Sequence, residues 1–280
     1  MFSGLPCRIR RDLLLGAGLA AAVGLPLYLV APGAATPRQK APFLGRSFAH
    51  RGLHSEDKTV PENSLEAFRL AAKARYGVEL DVQLTRDGQV VVFHDDTLER
   101  VCGVPGRVDE KSYDELKLLN LCGTRERIPL LTEALAVIDG HGPVIVELKT
   151  GSRNRELCEK VYAILSCYEG PVCIESFNPR IVRWFRFHGK DLLRGQLATQ
   201  PRDYGDTVEP KTAFALSRCL FNFLSRPQFI AYHVGPRPLL VHLSEAMGAL
   251  RFGWVVRNER AERGRDAVIF EFYRPQLKIK

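Results

Sequence analysis

Short apolar runs and polar turns alternate along most of the chain. From residue 77 to 85, apolar and polar residues alternate one by one, which is the pattern of a strand with two different faces. Leu65, Phe68 and Ala72 instead recur at helical spacing. The chain therefore mixes strands and helices in alternating order.

Start signals and further apolar runs extend this pattern to the rest of the chain. Predicted helix starts are Asn63 with Glu66, Ser112 with Glu115, and Asn178 before Pro179. Predicted strands include residues 144–149, 172–176, 193–197, 229–232, 251–256 and 267–270. Repeated strand–helix units with polar residues at the strand ends predict a TIM-type barrel, an α/β fold.

One passage does not fit a regular strand–helix repeat. Only twelve residues separate Asp81 from His94, too few for a helical crossover and both strand ends. The spacing predicts a hairpin-like extension or a bare loop here. It also explains why nine strand candidates compete for the eight places of a barrel.

The N-terminal region has a different composition. No charged residue occurs from Leu13 to Thr36, a stretch long enough to cross a hydrocarbon core of about 30 Å. Arg8, Arg10 and Arg11 precede it, as expected for a cytoplasmic start. The predicted order is a basic tail (1–12), a single-pass membrane anchor (13–30), a linker (31–46) and an extracytoplasmic barrel domain (47–280).

A cleaved signal peptide is the alternative for this region, with the small residues 33–35 as its cleavage site. The charge distribution is compatible with both interpretations. The net charge is +8, and the chain through Arg46 accounts for +5 of it, with six basic residues and one aspartate. The excess flanks the hydrophobic stretch, so it predicts contact with anionic lipid and no nucleic-acid partner.

The seven cysteines form neither a CxxC motif nor a zinc-ligand spacing. Their odd number and scattered positions argue against a disulfide framework. Cys102 and Cys122 are a candidate pair in an oxidising compartment and small core residues in a reducing one.

Two carboxylates share the polar face of the strand at residues 77–85. Glu79 and Asp81 are two residues apart, which is about 7 Å along a strand. Oxygen ligands at that separation suit one hard cation, calcium or magnesium, better than zinc. Glu147 and Lys149 also lie two apart, where a cation and a phosphate, or simply each other, could neutralise them.

Two histidines each close a short apolar run. His50 is followed by Arg51 and the conformationally permissive Gly52, and His94 is followed by Asp95. The unperturbed pKa of histidine lies near neutrality, so one ring can accept a proton while another donates one. Together with the carboxylates, they predict metal-assisted attack on a phosphate ester.

These residues belong to a longer ordered set that resembles the glycerophosphodiester phosphodiesterase family, as a membrane-anchored bacterial-type member. Seven motifs stand in the family's order: His50-Arg51-Gly52, Pro61-Glu62-Asn63, Glu79-x-Asp81, His94-Asp95, Glu147-x-Lys149, Ser176-Phe177-Asn178 and Gly253-Trp254-Val255-Val256. The ending at Glu271 departs from the Ile-Thr-Asp ending that is more common in the family.

The resemblance implies a (β/α)8 barrel of the phospholipase C-like phosphodiesterase kind, behind one hydrophobic N-terminal helix. The implied reaction is metal-dependent hydrolysis of glycerophosphodiesters to glycerol 3-phosphate and an alcohol, through a cyclic phosphate. The implied site comprises the acid–base pair His50 and His94, one Ca²⁺ or Mg²⁺ on Glu79, Asp81 and Glu147, and substrate or phosphate contacts from Arg51, Lys149, Phe177 and Trp254.

The charges of this implied site balance. Three carboxylates and a phosphodiester carry four negative charges, and a divalent cation, Arg51 and Lys149 carry four positive ones. Two other functions stay open at this point. One is lysophospholipase D-like or lyase activity on membrane lysophospholipids; the other is a non-catalytic, membrane-tethered binding module.

Overall fold

Eight parallel strands close into a barrel in the computed structural model, which describes residues 24–205 and 208–277. The strands are β1 (Ser47–Ala49), β2 (Gly77–Leu84), β3 (Val90–Val92), β4 (Val144–Leu148), β5 (Val172–Ser176), β6 (Leu193–Ala198), β7 (Phe229–His233), β8 (Leu250–Val256) and β9 (Ala267–Phe270). The order around the barrel is β1, β2, β4 to β9, and β9 pairs with β1 to close it. The predicted barrel is confirmed.

Helices connect the strands on the outside of the barrel. They are α1 (Pro37–Lys40), α2 (Leu65–Lys73), α3 (Glu99–Cys102), α4 (Tyr113–Leu116), α5 (Leu131–Ile138), α6 (Asn154–Leu165), α7 (Pro179–His188), α8 (Pro210–Ser217), α9 (Asn222–Ser225) and α10 (Leu239–Ala246). Residues 24–30 are also helical. Short 3₁₀ turns occur at Val108–Glu110, Pro201–Tyr204 and Glu259–Glu262.

The ninth strand explains the short passage between Asp81 and His94. Strand β3 runs antiparallel to β2, with Val92 opposite Val82, and stays outside the closed barrel. The backbone N–H of Phe93 donates to the carbonyl oxygen of Asp81 at 3.0 Å. Of the two predicted alternatives, a hairpin-like extension and a bare loop, the structure has the hairpin, which returns His94 to the level of Asp81.

The two faces of β2 correspond to the alternation of apolar and polar residues seen in its sequence. Its apolar side chains, such as Val78 and Leu80, belong to the core between barrel and helices. The other face lines the barrel interior. Near the amino ends of the strands that interior is filled by aromatic rings, including Phe229 stacked on Phe252 at a centroid distance of 4.3 Å. The polar residues of the interior therefore lie toward the carboxyl ends.

Gly195 on β6 makes room for this aromatic layer, because a Cβ at that position would overlap the ring of Phe229. We expect Gly195→Ala to lower the free energy of unfolding by about 1–3 kcal/mol through overpacking. Urea unfolding of the two proteins measures the difference. Gly151→Ala is the matched control, since a Cβ there meets nothing within 4 Å; equal losses for both variants would contradict the packing argument.

The predicted cap of α2 is wrong by one residue. Ser64 caps the helix by accepting a hydrogen bond from the N–H of Ala67, and Asn63 instead donates from Nδ2 to Oδ2 of Asp81 at 2.9 Å. Asn63 also has a positive φ of 55°. The other two starts are confirmed: Ser112 forms a capping box, and Asn178 caps α7 ahead of a first-turn proline.

The N-terminal hydrophobic stretch lies largely outside the described residues. Among the residues that are described, no helix has the length and apolar character needed to cross a bilayer. The anchor predicted at 13–30, its signal-peptide alternative and the domain boundaries stay predictions. Cys102 and Cys122 are both free thiols.

Candidate active site

Three carboxylates from two neighbouring strands converge inside the barrel. Glu79 and Asp81 lie on β2 and Glu147 lies on β4, where it is directly opposite Asp81 in the parallel register. One carboxylate oxygen from each lies within 4.8 Å of the other two. The period-2 alternation of β2 and the pairing of β2 with β4 place all three on the inner face. The structure thus brings the predicted cation ligands together.

The donor set fits a hard divalent cation. All three groups offer only oxygen, and all three are buried. Burial raises the pKa of Glu79 well above its ordinary value, and the nearby carboxylates of Asp81 and Glu147 raise it further. In addition, Oδ1 of Asp81 is buried and accepts no hydrogen bond. A cation would satisfy that oxygen and offset the repulsion among the carboxylates.

Arg51 reaches the same cluster from the turn after β1. Its φ is 52°, in the left-handed region, and Gly52 follows with a φ of 77°. This turn directs the N–H of Arg51 to Oε2 of Glu79 at 2.9 Å. The Arg51 guanidinium donates to Glu62 at 2.7 Å, while its Nε, buried without a hydrogen-bond acceptor, lies 3.4 Å from Asp81. The turn therefore holds a cationic donor at the edge of the cluster.

Lys149 supplies a second cation beside the cluster. Its Nζ donates to Glu147 at 2.9 Å and lies 3.4 Å from Oδ1 of Asp81. Burial alone would lower the pKa of Lys149, but Glu147 and Asp81 outweigh it and raise the pKa above its ordinary value. Lys149 is thus positively charged at neutral pH. Burial alone would raise the pKa of Asp81, but Lys149, His94 and Arg51 hold it well below its ordinary value.

His50 is oriented by a carboxylate from the last strand. Its Nδ1 lies 3.0 Å from Oε1 of Glu271, and its Nε2 lies 4.0 Å from Oε2 of Glu79. Arg257 donates to the other oxygen of Glu271 at 2.5 Å, and Nε2 of His54 lies 3.3 Å from Oε1. Burial lowers the pKa of His50 to about 4. At neutral pH its Nδ1 therefore donates to Glu271, and its Nε2 is a free base facing the carboxylates.

His94 has the same kind of support. Its Nδ1 lies 2.6 Å from Oδ1 of Asp95, and Arg100 donates from Nε to Oδ2 of Asp95 at 2.6 Å. Burial alone would raise the pKa of Asp95, but His94 and Arg100 hold it well below its ordinary value. The His94 side chain keeps 31% of its surface exposed. Each histidine thus has a carboxylate on Nδ1 and an arginine behind that carboxylate.

Two aromatic side chains, Phe177 after β5 and Trp254 on β8, border the barrel interior across from the carboxylate cluster. The rings of Phe177 and Trp254 meet edge to face at a centroid distance of 5.5 Å. The indole N–H of Trp254 donates to the carbonyl oxygen of Ala231 at 3.1 Å. A cleft of about 420 Å³ opens beside His50, with Arg51, Glu271 and Trp254 in its lining. The predicted substrate residues therefore lie at the same end of the barrel as the carboxylates.

A fourth buried carboxylate adjoins the cluster. Glu175 on β5 is opposite Glu147 in the register, is 1% exposed, and has an Oε2 atom without a hydrogen-bond partner. Burial, followed by the charges of Glu79 and Glu147, raises the pKa of Glu175 well above its ordinary value. Burial and the neighbouring carboxylates therefore favour the neutral form of Glu175.

Several supporting residues of the site were not predicted from the sequence. Glu271 follows an apolar strand as His50 does, and that position was its one available signal. Glu62 links Arg51 to Arg100, which donates to it at 2.8 Å. Asn63 was interpreted as a helix cap and instead contacts a carboxylate of the cluster. All three residues position others: in the sequence Glu62 was noted only as part of a motif, and Glu271 only as a departure from the common ending of the family.

Comparisons with known proteins agree with this geometry. The model of the glycerophosphoryl diester phosphodiesterase family matches residues 50–273. A glycerophosphodiester phosphodiesterase of Caldanaerobacter subterraneus is 41% identical over 242 residues, which is 79% of this chain and 91% of that protein. The uncharacterized protein YqiK of Bacillus subtilis is 34% identical over 142 residues, 47% of this chain and 57% of that protein.

A solved structure is also similar. A phosphodiesterase of Oleispira antarctica, in complex with the product sn-glycerol-3-phosphate, has a TM-score of 0.68 and 25% identity, over 81% of this chain and 93% of that one. The family match covers all of the residues that form the cluster and both histidine–carboxylate pairs. This chain belongs to the glycerophosphoryl diester phosphodiesterase family.

Proposed function

We propose that the chain hydrolyses glycerophosphodiesters to glycerol 3-phosphate and an alcohol. The observation that carries the proposal is the convergence of three buried carboxylates and two carboxylate-supported histidines at one end of the barrel. Family membership makes the chain a phosphoric diester hydrolase. The product named for the Oleispira antarctica structure supports the glycerol 3-phosphate half of the substrate.

In this proposal Glu79, Asp81 and Glu147 hold one divalent cation, Ca²⁺ or Mg²⁺. The all-oxygen donor set favours these hard ions over zinc. When bound, such an ion withdraws electron density from a phosphoryl oxygen and stabilises the charge of the transition state. Arg51 and Lys149 flank the cluster and bind the remaining phosphate oxygens. Phe177 and Trp254 form the wall against which the glycerol or head group packs.

The two histidines move the protons. His50 is neutral at pH 7 and has its free Nε2 toward the cluster, so it accepts the proton of the glycerol 2-hydroxyl as that oxygen attacks phosphorus. His94 donates a proton to the departing alcohol. Water then opens the cyclic phosphate with the two roles reversed. Glu271 and Asp95 keep the Nδ1 protons in place and so hold both rings in the required tautomer.

A hydrolysis screen tests the activity directly. Glycerophosphocholine, glycerophosphoethanolamine and glycerophosphoglycerol are offered with and without a chelator, beside a lysophospholipid. We expect release of glycerol 3-phosphate from the water-soluble diesters in the presence of the cation. Absence of that product from every diester, with folded and cation-loaded protein, would overturn the proposal. Choline release from the lysophospholipid alone would favour the lipid-directed alternative.

The orientation of His50 by Glu271 gives a further prediction. Glu271→Gln keeps the shape of the side chain but removes the charge, and we expect it to lower kcat by about 10- to 100-fold. Because Glu271 raises the pKa of His50 against the effect of burial, its loss also moves the acidic limb of the pH–rate profile to lower pH. Glu159→Gln, in an exposed pair with Arg155, is the control. A lowered rate with an unmoved profile would contradict the positioning role.

We also propose that the N-terminal stretch attaches the enzyme to a membrane, with the barrel on the extracytoplasmic side. The uncharged residues 13–36 and the preceding arginines support this proposal. Full-length protein is expected to sediment with membranes and to resist carbonate extraction, whereas a chain beginning near Pro42 is expected in the supernatant. Intact full-length protein in the soluble fraction would contradict the anchor, and a new N-terminus near Thr36 would favour a signal peptide.

A further inference from the structure

The last part of the uncharged stretch meets the barrel at one particular end. The N–H of Gly33 donates to the carbonyl oxygen of Pro227 at 3.0 Å, and Nε2 of Gln228 donates to the carbonyl oxygen of Ala34 at 2.9 Å. Pro227 and Gln228 directly precede β7. Residues 24–35 therefore pack where the strands begin, at the end of the barrel opposite the carboxylate cluster.

Exposed apolar side chains collect at this end. In the helical segment 24–30, Leu25 and Tyr28 are 58% and 56% exposed, and Phe187 in the last turn of α7 is 49% exposed. Phe223 of α9 connects Tyr28 with α7. The ring centroids of Phe223 and Tyr28 are 6.2 Å apart, and the backbone carbonyl oxygen of Phe223 accepts a hydrogen bond from Arg186, the neighbour of Phe187 in the sequence. The exposed rings thus belong to one surface.

Arginines accompany the exposed rings. The guanidinium carbons of Arg183 and Arg186 lie 5.1 Å from the ring centroid of Phe187, and that of Arg226 lies 4.7 Å from the ring of Tyr28. We call these side chains the basal surface. It comprises Leu25, Tyr28, Arg183, Arg186, Phe187 and Arg226.

The charge of the surrounding segments has the same sign. The segments that lead into the amino ends of the strands contain ten Lys or Arg residues and four Asp or Glu residues; they are 31–46, 73–76, 139–143, 166–171, 186–192, 226–228, 247–249 and 263–266. Half-exposed aromatic rings with arginines match the interface of an anionic bilayer, where rings sit among the head groups and arginines meet lipid phosphates.

An uncharged segment directly precedes this surface in the sequence. Residues 13–23, which precede the described segment, carry no charge and run directly into it. We infer that the basal surface lies on an anionic phospholipid bilayer and that the mouth of the active site opens away from it. The orientation on the bilayer is independent of the proposed function, and only the substrate class derived from that orientation rests on it.

The orientation selects the substrate by distance. The carboxylate cluster is separated from the basal surface by the length of the barrel strands, on the order of 20 Å. The phosphate of a lysophospholipid stays at the bilayer surface while its acyl chain is inserted. Such a lipid would have to leave the bilayer to reach the cluster, whereas a glycerophosphodiester arrives from water. The substrate class is therefore the water-soluble diester.

The two tryptophans of the chain report on the two ends of the barrel. Trp184 lies near the basal surface on α7, stacked on His188, and Trp254 lies near the mouth. Full-length W254F and W184F, each with one indole, are placed in vesicles of phosphatidylglycerol and phosphatidylcholine with brominated acyl chains, which quench indole on contact. We expect Trp184 emission to fall by about half or more relative to unbrominated vesicles, as for rings at about 5–10 Å depth, and Trp254 emission to be unchanged.

Surface variants sharpen this test. In the W254F protein, Phe187→Ser and Arg183→Glu are expected to weaken the quenching of Trp184. Leu239→Ser is the matched control, because Leu239 is 73% exposed at the start of α10, on the mouth side, and its replacement should leave the quenching unchanged. Quenching of Trp254 equal to that of Trp184, or quenching of neither, overturns the orientation. A dimer that covers Phe187 would give the second of these outcomes.

Activity in the same vesicles tests the substrate. The unmutated chain is offered glycerophosphocholine in the aqueous phase and lysophosphatidylcholine in the bilayer. We expect hydrolysis of the soluble diester at least about tenfold faster. Faster hydrolysis of the lysophospholipid overturns the inference. Hydrolysis of neither, with Trp184 still quenched, counts against the proposed function and leaves the orientation standing.

Discussion

Removal of the divalent cation is expected to abolish hydrolysis of glycerophosphocholine, and calcium or magnesium is expected to restore it. Glu79, Asp81 and Glu147 are buried, and their oxygens lie within 4.8 Å of one another. Without a cation, burial and the repulsion from Asp81 and Glu147 raise the pKa of Glu79 and favour its protonation. The site then lacks both the ion and the charge distribution that a phosphodiester requires.

Glu79→Gln separates this role from a structural one. The variant is expected to match the chelated enzyme in activity while staying folded, because it removes a buried charge and keeps the shape of the side chain. Ligand binding stabilises the folded state, by about 2.7 kcal/mol at a hundredfold excess over Kd. Calcium or magnesium should therefore raise the Tm of the unmutated protein and leave that of Glu79→Gln unchanged.

Glu175→Gln is the matched control for this experiment. Glu175 is a buried glutamate next to the same cluster, and its raised pKa favours the neutral form, so glutamine replaces it with little change of charge or shape. We expect this variant to retain both activity and the response of the Tm to the cation. Full activity of metal-free protein, or loss of the cation response in Glu175→Gln alone, would contradict the assignment of the three ligands.

The sequence predicts those contacts of the site that join residues close together along the chain. The position of Glu79 and Asp81 on one face follows from the alternation of a single strand, and the hairpin that returns His94 follows from twelve residues of spacing. Both relationships span few residues, so periodicity and length suffice to predict them.

The relationships that the sequence does not predict are long-range. His50 and Glu271 are separated by 221 residues and meet only because β9 pairs with β1 and closes the barrel. Nothing in the local pattern of either residue indicates the other. The missed role of Asn63 has a different cause, since its neighbour Ser64 satisfies the same capping pattern and frees the amide for Asp81.

The membrane prediction joins both kinds of evidence. The uncharged stretch is a local feature of the sequence, and the end of the barrel to which it leads is a property of the fold alone. Arg226 illustrates this, because it donates to the carbonyl oxygen of Tyr28 at 2.9 Å, across 198 residues. An orientation of the active site relative to a bilayer could therefore be inferred only once the fold was known.

Replacement of either histidine is expected to lower turnover by about 100- to 10,000-fold, the usual contribution of a general acid–base step. His50→Ala and His94→Ala remove different proton transfers, so each variant alone has this effect. Substrate binding is expected to change far less, because Arg51, Lys149 and the cation remain. Comparison of kcat with the Kd of glycerol 3-phosphate checks the separation; an equal loss in both would show that the ring is needed for the structure of the site.

A substrate that lacks the glycerol 2-hydroxyl tests what His50 does. In the cyclic-phosphate scheme that hydroxyl is the nucleophile, and His50 can act as base because its pKa of about 4 leaves Nε2 unprotonated at pH 7. With hydrogen in place of the hydroxyl, we expect turnover to disappear while the compound still inhibits hydrolysis of the normal diester, since the phosphate contacts are intact. Near-normal hydrolysis of the deoxy compound would mean that water attacks phosphorus directly. His50 would then activate water, and no cyclic phosphate would form from the normal diester.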